Sequence, residues 1–397
     1  MKVLMTTDAV GGVWTYAIEL CTELARHDVD VVLAVMGPPA SGAQCESAAQ
    51  IRGLRLYSSQ LRLEWMSDPW RDVERAGEWL QELAQREAVD LIHLNGFSHA
   101  ALPWRKPVVV VAHSCVCSWW QAVHGQSPPS EWDVYRRNVA AGVRSADHVV
   151  APTFAFLAEI KRWHASAAAT SVIYNARSPT LFAHDANNQR EPLILASGRL
   201  WDEAKNMRAL DAVARDLPWP TYVAGDARAP DGPQFSAASL QCLGALCPDE
   251  IASWLKRAAI YVHPAKYEPF GLSVLEAALA GCALVLADLP SLRELWDGAA
   301  LFVPVGHADD SANALHPALQ RLIAEPALRQ QLSQAALLRA RQFTPGRMGC
   351  EYFSLYAALL AHGRTQEPSD FNTSTRRKGD CARRPGLSIS RSSASLG

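Results

Sequence analysis

Short β-branched runs alternate with amphipathic stretches twice over along this chain, and no other feature constrains its fold as tightly. The runs "KVLMTT" (2–7), "DVVLAV" (30–35), "LIHLN" (91–95), "VVVVAH" (108–113) and "HVVAPT" (148–153) read as buried parallel strands. Between the first two lies "VWTYAIELCTELARHD", whose Ala17, Leu20, Leu24 and Ala25 recur at helical spacing, and "VERAGEWLQELAQREA" precedes the third. Strand–helix–strand alternation of this kind gives an α/β doubly wound parallel sheet. Its ligands collect at the carboxyl ends of the strands.

The pattern then restarts. "SVIYN" (171–175) leads through a polar stretch into "PLILASGRL" (192–200), followed by "TYVAGD" (221–226), "AIYVHPA" (259–265), "ALVLADL" (283–289) and "ALFVP" (300–304). A chain of 397 residues exceeds what one hydrophobic core usually serves, so two α/β domains facing across a cleft are expected. The boundaries read as 1–175 for the first domain, 176–190 for a linker and 191–345 for the second. A helix at 346–363 is expected to pack back on the first domain. Residues 364–397 form a Ser-, Arg- and Gly-rich tail, read as disordered.

Charge and cysteine content narrow the function classes. A net charge of −2 supplies no whole-chain basic field, which argues against nucleic acid as a partner. The nine cysteines are scattered, and neither Cys115-Val-Cys117 nor the Cys242/Cys247 pair has the spacing of a structural zinc site, so reduced thiols in a cytoplasmic protein are expected. No secretion leader and no apolar run of bilayer-spanning length is read in the chain; at most it touches the inner face of a membrane peripherally.

Candidate chemistry sits where strands end. Gly11 and Gly12 directly follow the first strand and precede its helix, where backbone amides favour an anion, although the pair equally suits a plain tight turn. Arg199 ends the strand "LILASG", with Lys205 close behind; two fixed cations there suit a diphosphate, and a surface salt bridge of Arg199 with Asp202 or Glu203 is the competing reading. His113 closes "VVVVAH". Glu268 stands before Pro269 in a turn, and the amides of Phe270, Gly271 and Leu272 follow near a helix start. Ser273-Val-Leu-Glu276 fits a capping box, with Ser273 at the N-cap and Glu276 reaching back to it.

The Glu-x7-Glu motif within "HPAKYEPFGLSVLEAALAGCALVLADLPSLRELWDGAALFVP" (263–304), with "SGRLWDEAKN" (197–206) upstream, resembles the retaining glycosyltransferases of family 4. The resemblance implies a GT-B fold of two Rossmann-like domains and transfer of a sugar from a nucleotide diphosphate sugar, UDP- or GDP-linked, to a glycan, lipid-linked or small-molecule acceptor. It implies that Arg199 and Lys205 hold the donor diphosphate, that Glu268 binds sugar hydroxyls and that Glu276 binds the ribose. It also implies that the amides at Phe270, Gly271 and Leu272 meet sugar or phosphate, that His113 lies by the sugar, and that the Gly11-Gly12 loop approaches phosphate and acceptor. The hinge departs from the family pattern: in "VIYNARS", Tyr174 and Ala176 replace a proline and a glycine.

No protein nucleophile has a place in the motif, so front-face attack assisted by the leaving diphosphate is expected, without a cofactor. The one Asp-x-Asp, Asp28-Val-Asp30, opens a strand at the end away from the cleft and reads as a surface turn, so no metal is expected. Trp14, Trp119, Trp120 and Trp132 are candidates for stacking on an acceptor. A non-catalytic nucleotide-sugar-binding or assembly subunit, and an epimerase on the same scaffold, are the alternatives.

Overall fold

The computed structural model describes residues 1–165, 168–183, 190–228, 234–306 and 308–364. The expected tail from 365 onward and the middle of the expected linker, 184–189, lie outside the described residues.

The first sheet contains β1 (Lys2–Asp8), β2 (Asp30–Met36), β3 (Leu54–Ser58), β4 (Leu91–Leu94), β5 (Val108–Val111), β6 (His148–Ala151) and β7 (Ala169–Val172). Their order is β3-β2-β1-β4-β5-β6-β7, and every pairing is parallel. The second sheet contains β8 (Glu191–Ser197), β9 (Thr221–Ala224), β10 (Gln241–Gly244), β11 (Ala258–His263), β12 (Ala283–Ala287) and β13 (Leu301–Val303). It repeats the arrangement as β10-β9-β8-β11-β12-β13, again all parallel. Each sheet therefore reverses its winding direction once, between β1 and β4 and between β8 and β11. The crevice at such a switch point is where a doubly wound sheet offers a ligand site.

Both faces of each sheet are covered, which explains why the central strands read as continuous apolar runs. Leu4, Val32, Ile92 and Val110 pack on one face of the first sheet; Val3, Met5, Val31, Leu33, Leu91 and Val109 pack on the other. β3 and β10 escape the sequence reading. Both are edge strands, and their alternating or largely exposed residues, such as Arg55 and Ser58 or Gln241 and Cys242, carry no buried run to recognise.

The last helix, Pro345–Arg364, crosses back to the first domain. It lays Met348, Tyr352 and Tyr356 against Trp14, Tyr16 and Leu20 of the helix Gly12–Arg26. Tyr356 also bonds through its hydroxyl to His93 Nδ1 on β4. Trp14 is thus core, with 7% of its surface exposed, and is not free to stack on a ligand. Asp28 has a positive φ of 54° and pairs with Arg52 at the surface, while Asp30 starts β2 at the end opposite the cleft.

Candidate functional site

The charged wall of the cleft is built by two loops of the second domain that lock together. After β8 the chain passes through Arg199 to Asp202, whose carboxylate accepts the Ala204 N–H (3.0 Å) and caps the single 3₁₀ turn Glu203–Lys205. Asn206 ends that turn in the left-handed conformation, and its side-chain amide donates to the Pro264 carbonyl (3.1 Å) beyond β11. The Lys266 N–H donates back to Ala204 (2.7 Å). These bonds place Lys205 over the 264–268 loop.

Lys205 Nζ consequently lies 2.7 Å from Glu268 Oε2, and both side chains are nearly buried. His263 Nε2, on the last residue of β11, reaches the same oxygen at 3.0 Å. Burial works against the Glu268 carboxylate, but the Lys205 ammonium and the His263 bond outweigh it and hold the group well below the usual carboxylate range. Burial also lowers His263, which is neutral and donates through Nε2. The cluster carries one positive and one negative charge.

Beyond Glu268 the chain turns at Gly271, whose φ of 89° suits glycine; a Cβ there would lie 3.2 Å from Val274 Cγ2 and 3.4 Å from Glu268 Cγ. Gly271 is the N-cap of the helix Leu272–Leu279, and Val274 and Leu275 make its first backbone bonds, both to the Gly271 carbonyl. The amides of Leu272 and Ser273 thus precede intrahelical pairing and face the turn. This corrects the capping-box reading. Ser273 is inside the helix, no side chain caps its start, and Glu276 sits a full turn in. Phe270 is core, 3% exposed and packed on Phe343.

Glu276 meets Arg177 instead, at 2.7 Å from Nε, and Arg177 Nη1 donates to Glu19 Oε1 (2.7 Å) on the first domain's Gly12–Arg26 helix. The Nε–H is not aimed along the Glu276 line, so this contact is an ion pair rather than an aligned hydrogen bond. Burial raises the Glu276 pKa, and Arg177 pulls it part of the way back. Sequence reasoning missed Arg177. Its only trace was the irregular hinge "VIYNARS".

Arg199 is 40% exposed and pairs through Nη2 with Asp202 Oδ2 at 2.9 Å, the competing reading of its sequence. It also lies over the Trp201 ring, 5.3 Å from the centroid. Much of the guanidinium remains open to an anion. Asp8, at the carboxyl end of β1, faces it from the first domain: burial lifts the Asp8 pKa to about 6, against the pull of the Val10 N–H and Arg199. Sequence reasoning missed Asp8 as well.

The rest of the opposite wall, apart from Asp8 and Glu19, is uncharged. Asn95 follows β4 and is pinned to Thr6, its N–H donating to Thr6 Oγ1 (2.9 Å) and its side-chain amide to the Thr6 carbonyl (2.7 Å). That fixes Asn95 Oδ1 as an acceptor. His113 Nε2, 2.8 Å away, must donate to it, which leaves His113 Nδ1 as an acceptor. Burial, with His93 nearby, lowers the His113 pKa to about 3. His113 is therefore a neutral imidazole of defined tautomer. Gly11 has a φ of 100°, and a Cβ on Gly12 would lie 3.5 Å from Leu272 Cδ1, so the glycine loop lies directly against the second domain's helix start.

Hydrogen bonds tie the walls together. The Tyr267 hydroxyl accepts the Cys115 N–H (2.9 Å), Thr153 Oγ1 donates to the Pro269 carbonyl (3.0 Å), and Trp119 Nε1 donates to Asp202 (3.2 Å). Glu294 accepts the Phe154 and Ala155 N–H groups (2.9 Å each) at the start of the helix Phe154–Trp163. Trp119, Trp120 and Trp132 form one aromatic group with His124 at this edge of the cleft.

Comparison with known proteins gives the same fold and names the family. Residues 10–180 match the family model described as Glycosyltransferase Family 4, and residues 191–321 match Glycosyl transferases group 1. A D-inositol 3-phosphate glycosyltransferase of Streptomyces bingchenggensis is 32% identical over 114 residues, 28% of this chain and 24% of that protein. One from Arthrobacter is 35% identical over 96 residues, 24% of this chain and 22% of that protein. The matched stretches thus span about a quarter of those curated relatives. Among solved structures, sucrose-phosphate synthase from Thermosynechococcus elongatus aligns with a TM-score of 0.74 at 20% identity, covering 91% of this chain and all of that one. Anabaena HepE in complex with UDP-glucose aligns with a TM-score of 0.69 at 18% identity, covering 90% and 100%. Two parallel doubly wound sheets facing across a cleft, together with these two family matches, place the chain in the family 4, group 1 glycosyltransferases of GT-B fold.

Proposed function

We propose that the chain transfers a glycosyl group from a nucleotide diphosphate sugar to an acceptor hydroxyl with retention of anomeric configuration. The observation that carries this reading is the buried Lys205–Glu268 pair at the start of the helix Leu272–Leu279, with Glu276 one turn further in. A buried ion pair is weak evidence for stability alone, because desolvation offsets most of its attraction. Its place at a switch point fits a ligand role better. Lys205 and the open part of Arg199 bind the diphosphate, the Leu272 and Ser273 amides add uncharged donors, Glu268 accepts sugar hydroxyls and Glu276 accepts those of the ribose.

In this reading the leaving diphosphate carries the developing charge, and Lys205, Arg199 and the helix-start amides stabilise it where it forms. The acceptor hydroxyl enters on the same face as the leaving group and passes its proton to a diphosphate oxygen as the new glycosidic bond forms. His113, neutral with Nδ1 as acceptor, takes a hydrogen bond from a sugar hydroxyl and moves no proton. The bound UDP-glucose of HepE favours a uridine donor over a guanosine one. The aromatic group around Trp119 suits the acceptor, a glycan, a lipid-linked sugar or a small polyol.

No divalent ion is required for this chemistry, because cationic side chains and amides cover the diphosphate. The test is turnover of UDP- and GDP-linked sugars with and without added magnesium or manganese, with the anomeric configuration of the product read by NMR. Retention, with one base preferred and rate unchanged by the ion, is expected. Inversion, or absolute dependence on the ion, would overturn the mechanism.

A further inference from the structure

The helix Val116–His124 and the helix Phe154–Trp163 meet in the first domain, and three soft donors converge between them. Cys115 stands immediately before the first helix and Cys117 lies in its first turn; His164 follows the end of the second. Cys115 Sγ is 3.2 Å from His164 Nε2, and the two sulfurs and the imidazole nitrogen all lie within 4.8 Å of one another. All three side chains are almost fully buried, with 1%, 0% and 2% exposed. Among the described residues His164 Nδ1 has no hydrogen-bond partner.

Those separations are close to a metal's coordination sphere, the 3.2 Å pair slightly short of it and the whole set bounded at 4.8 Å. With zinc–sulfur bonds near 2.3 Å and zinc–nitrogen bonds near 2.0 Å, tetrahedral geometry puts ligand atoms roughly 3.5–3.8 Å apart. Two thiols and an imidazole in a dry interior have poor alternatives. Thiols are weak hydrogen-bond donors, and a second thiolate beside the first is disfavoured unless a cation lies between them. The Cys-x-Cys spacing alone gave no sign of this, because the third donor comes from a different helix.

We propose that Cys115, Cys117 and His164 form a binding site for one thiophilic divalent ion, zinc being the representative case. Binding exchanges the two thiol protons for the ion, leaving a neutral Cys₂His set, and joins the start of one helix to the end of another. The site is independent of the donor chemistry: none of its three side chains belongs to the charged wall.

The test uses the full chain, reduced and stripped of metal. Zinc is titrated against a chromophoric competing chelator, and cobalt(II) is followed by its visible and near-ultraviolet absorption. One tightly bound equivalent is expected, with thiolate-to-cobalt charge transfer and intense visible bands, a solvent molecule completing the three protein donors to four-coordinate geometry. Losing a ligand costs at least what losing an outer-shell partner costs, about 10–100-fold in affinity, so Cys117→Ser and His164→Ala should each show that loss. Cys242→Ser, at an exposed cysteine, should not. Zinc should also raise the melting temperature of the wild type and leave Cys117→Ser unmoved. Failure of the wild type to compete for zinc would overturn the proposal, as would a cobalt spectrum without thiolate charge transfer or unchanged binding in both ligand variants.

Discussion

The two walls of the cleft are made by sheets of the same topology, yet they do opposite things with charge. The second domain presents Arg199, Lys205, Glu268 and Glu276, each already paired with a countercharge. The first presents the Gly11-Gly12 turn, Asn95 and a neutral His113, with two acids, Asp8 facing Arg199 and Glu19 paired with Arg177. The donor's diphosphate is the only highly charged part of the reacting assembly, so a single charged wall is sufficient. The other wall needs defined hydrogen-bonding direction, which the Thr6–Asn95–His113 chain supplies.

The largest effect should come from the charged wall. Lys205→Ala is expected to lower turnover by about 10²–10³-fold, the usual cost of losing a preorganised stabiliser of the leaving group. It should also destabilise the fold by about 3–5 kcal/mol at neutral pH, because Glu268 is left buried with only a neutral histidine. Glu268 has a lowered pKa in the folded state, so its contribution is full above the ordinary carboxylate range, fades as pH falls below that range, and is gone only below the lowered folded-state value. Chemical denaturation of wild type and variant should therefore show a gap that narrows steadily as pH falls below the carboxylate range. A gap that does not narrow would mean that Lys205 stabilises the fold by some route other than charge.

Glu276→Ala should come next, weakening nucleotide binding by about 10–100-fold through loss of charge-assisted hydrogen bonds, as calorimetry would show. Arg177 keeps Glu19 as a partner in that variant. On the opposite wall, His113→Ala should cost about tenfold in kcat, and the wild-type rate should show no histidine titration between about pH 5 and 8, since this imidazole is already neutral. A His113-dependent step in the pH profile would erase the contrast between the walls.

The smallest effect concerns Asp8. Its pKa is raised to about 6, so the fold is favoured while Asp8 is protonated and loses that advantage as pH rises through 6. Asp8→Asn should then be more stable than wild type above pH 6, by about 1–2 kcal/mol after allowing for partial solvent screening, and equal to it in acid.

The fold class was legible because central parallel strands must be apolar throughout, and the strands on either side of both switch points announce themselves that way. Edge strands β3 and β10 obey no such demand. The residues of the charged wall were legible as types at strand ends, but their pairing was not. Nothing in "EPFGLSVLE" says that a left-handed Gly271 starts the helix one turn before Glu276 and frees that carboxylate from a cap. Arg177 and Asp8 were invisible for a related reason: each acquires its role from a partner in the other domain, and the spacing of a motif carries no information about a contact between domains.

In the proposed function one ligand lies along the start of the helix Leu272–Leu279, sugar at Glu268 and ribose at Glu276. The decisive experiment is calorimetric binding of UDP and of the preferred UDP-sugar to wild type, Glu268→Gln and Glu276→Gln. Glu276→Gln is expected to weaken both ligands alike, whereas Glu268→Gln should weaken the nucleotide sugar and leave UDP nearly unchanged. Equal losses for both ligands in both variants, or no loss in either, would contradict it.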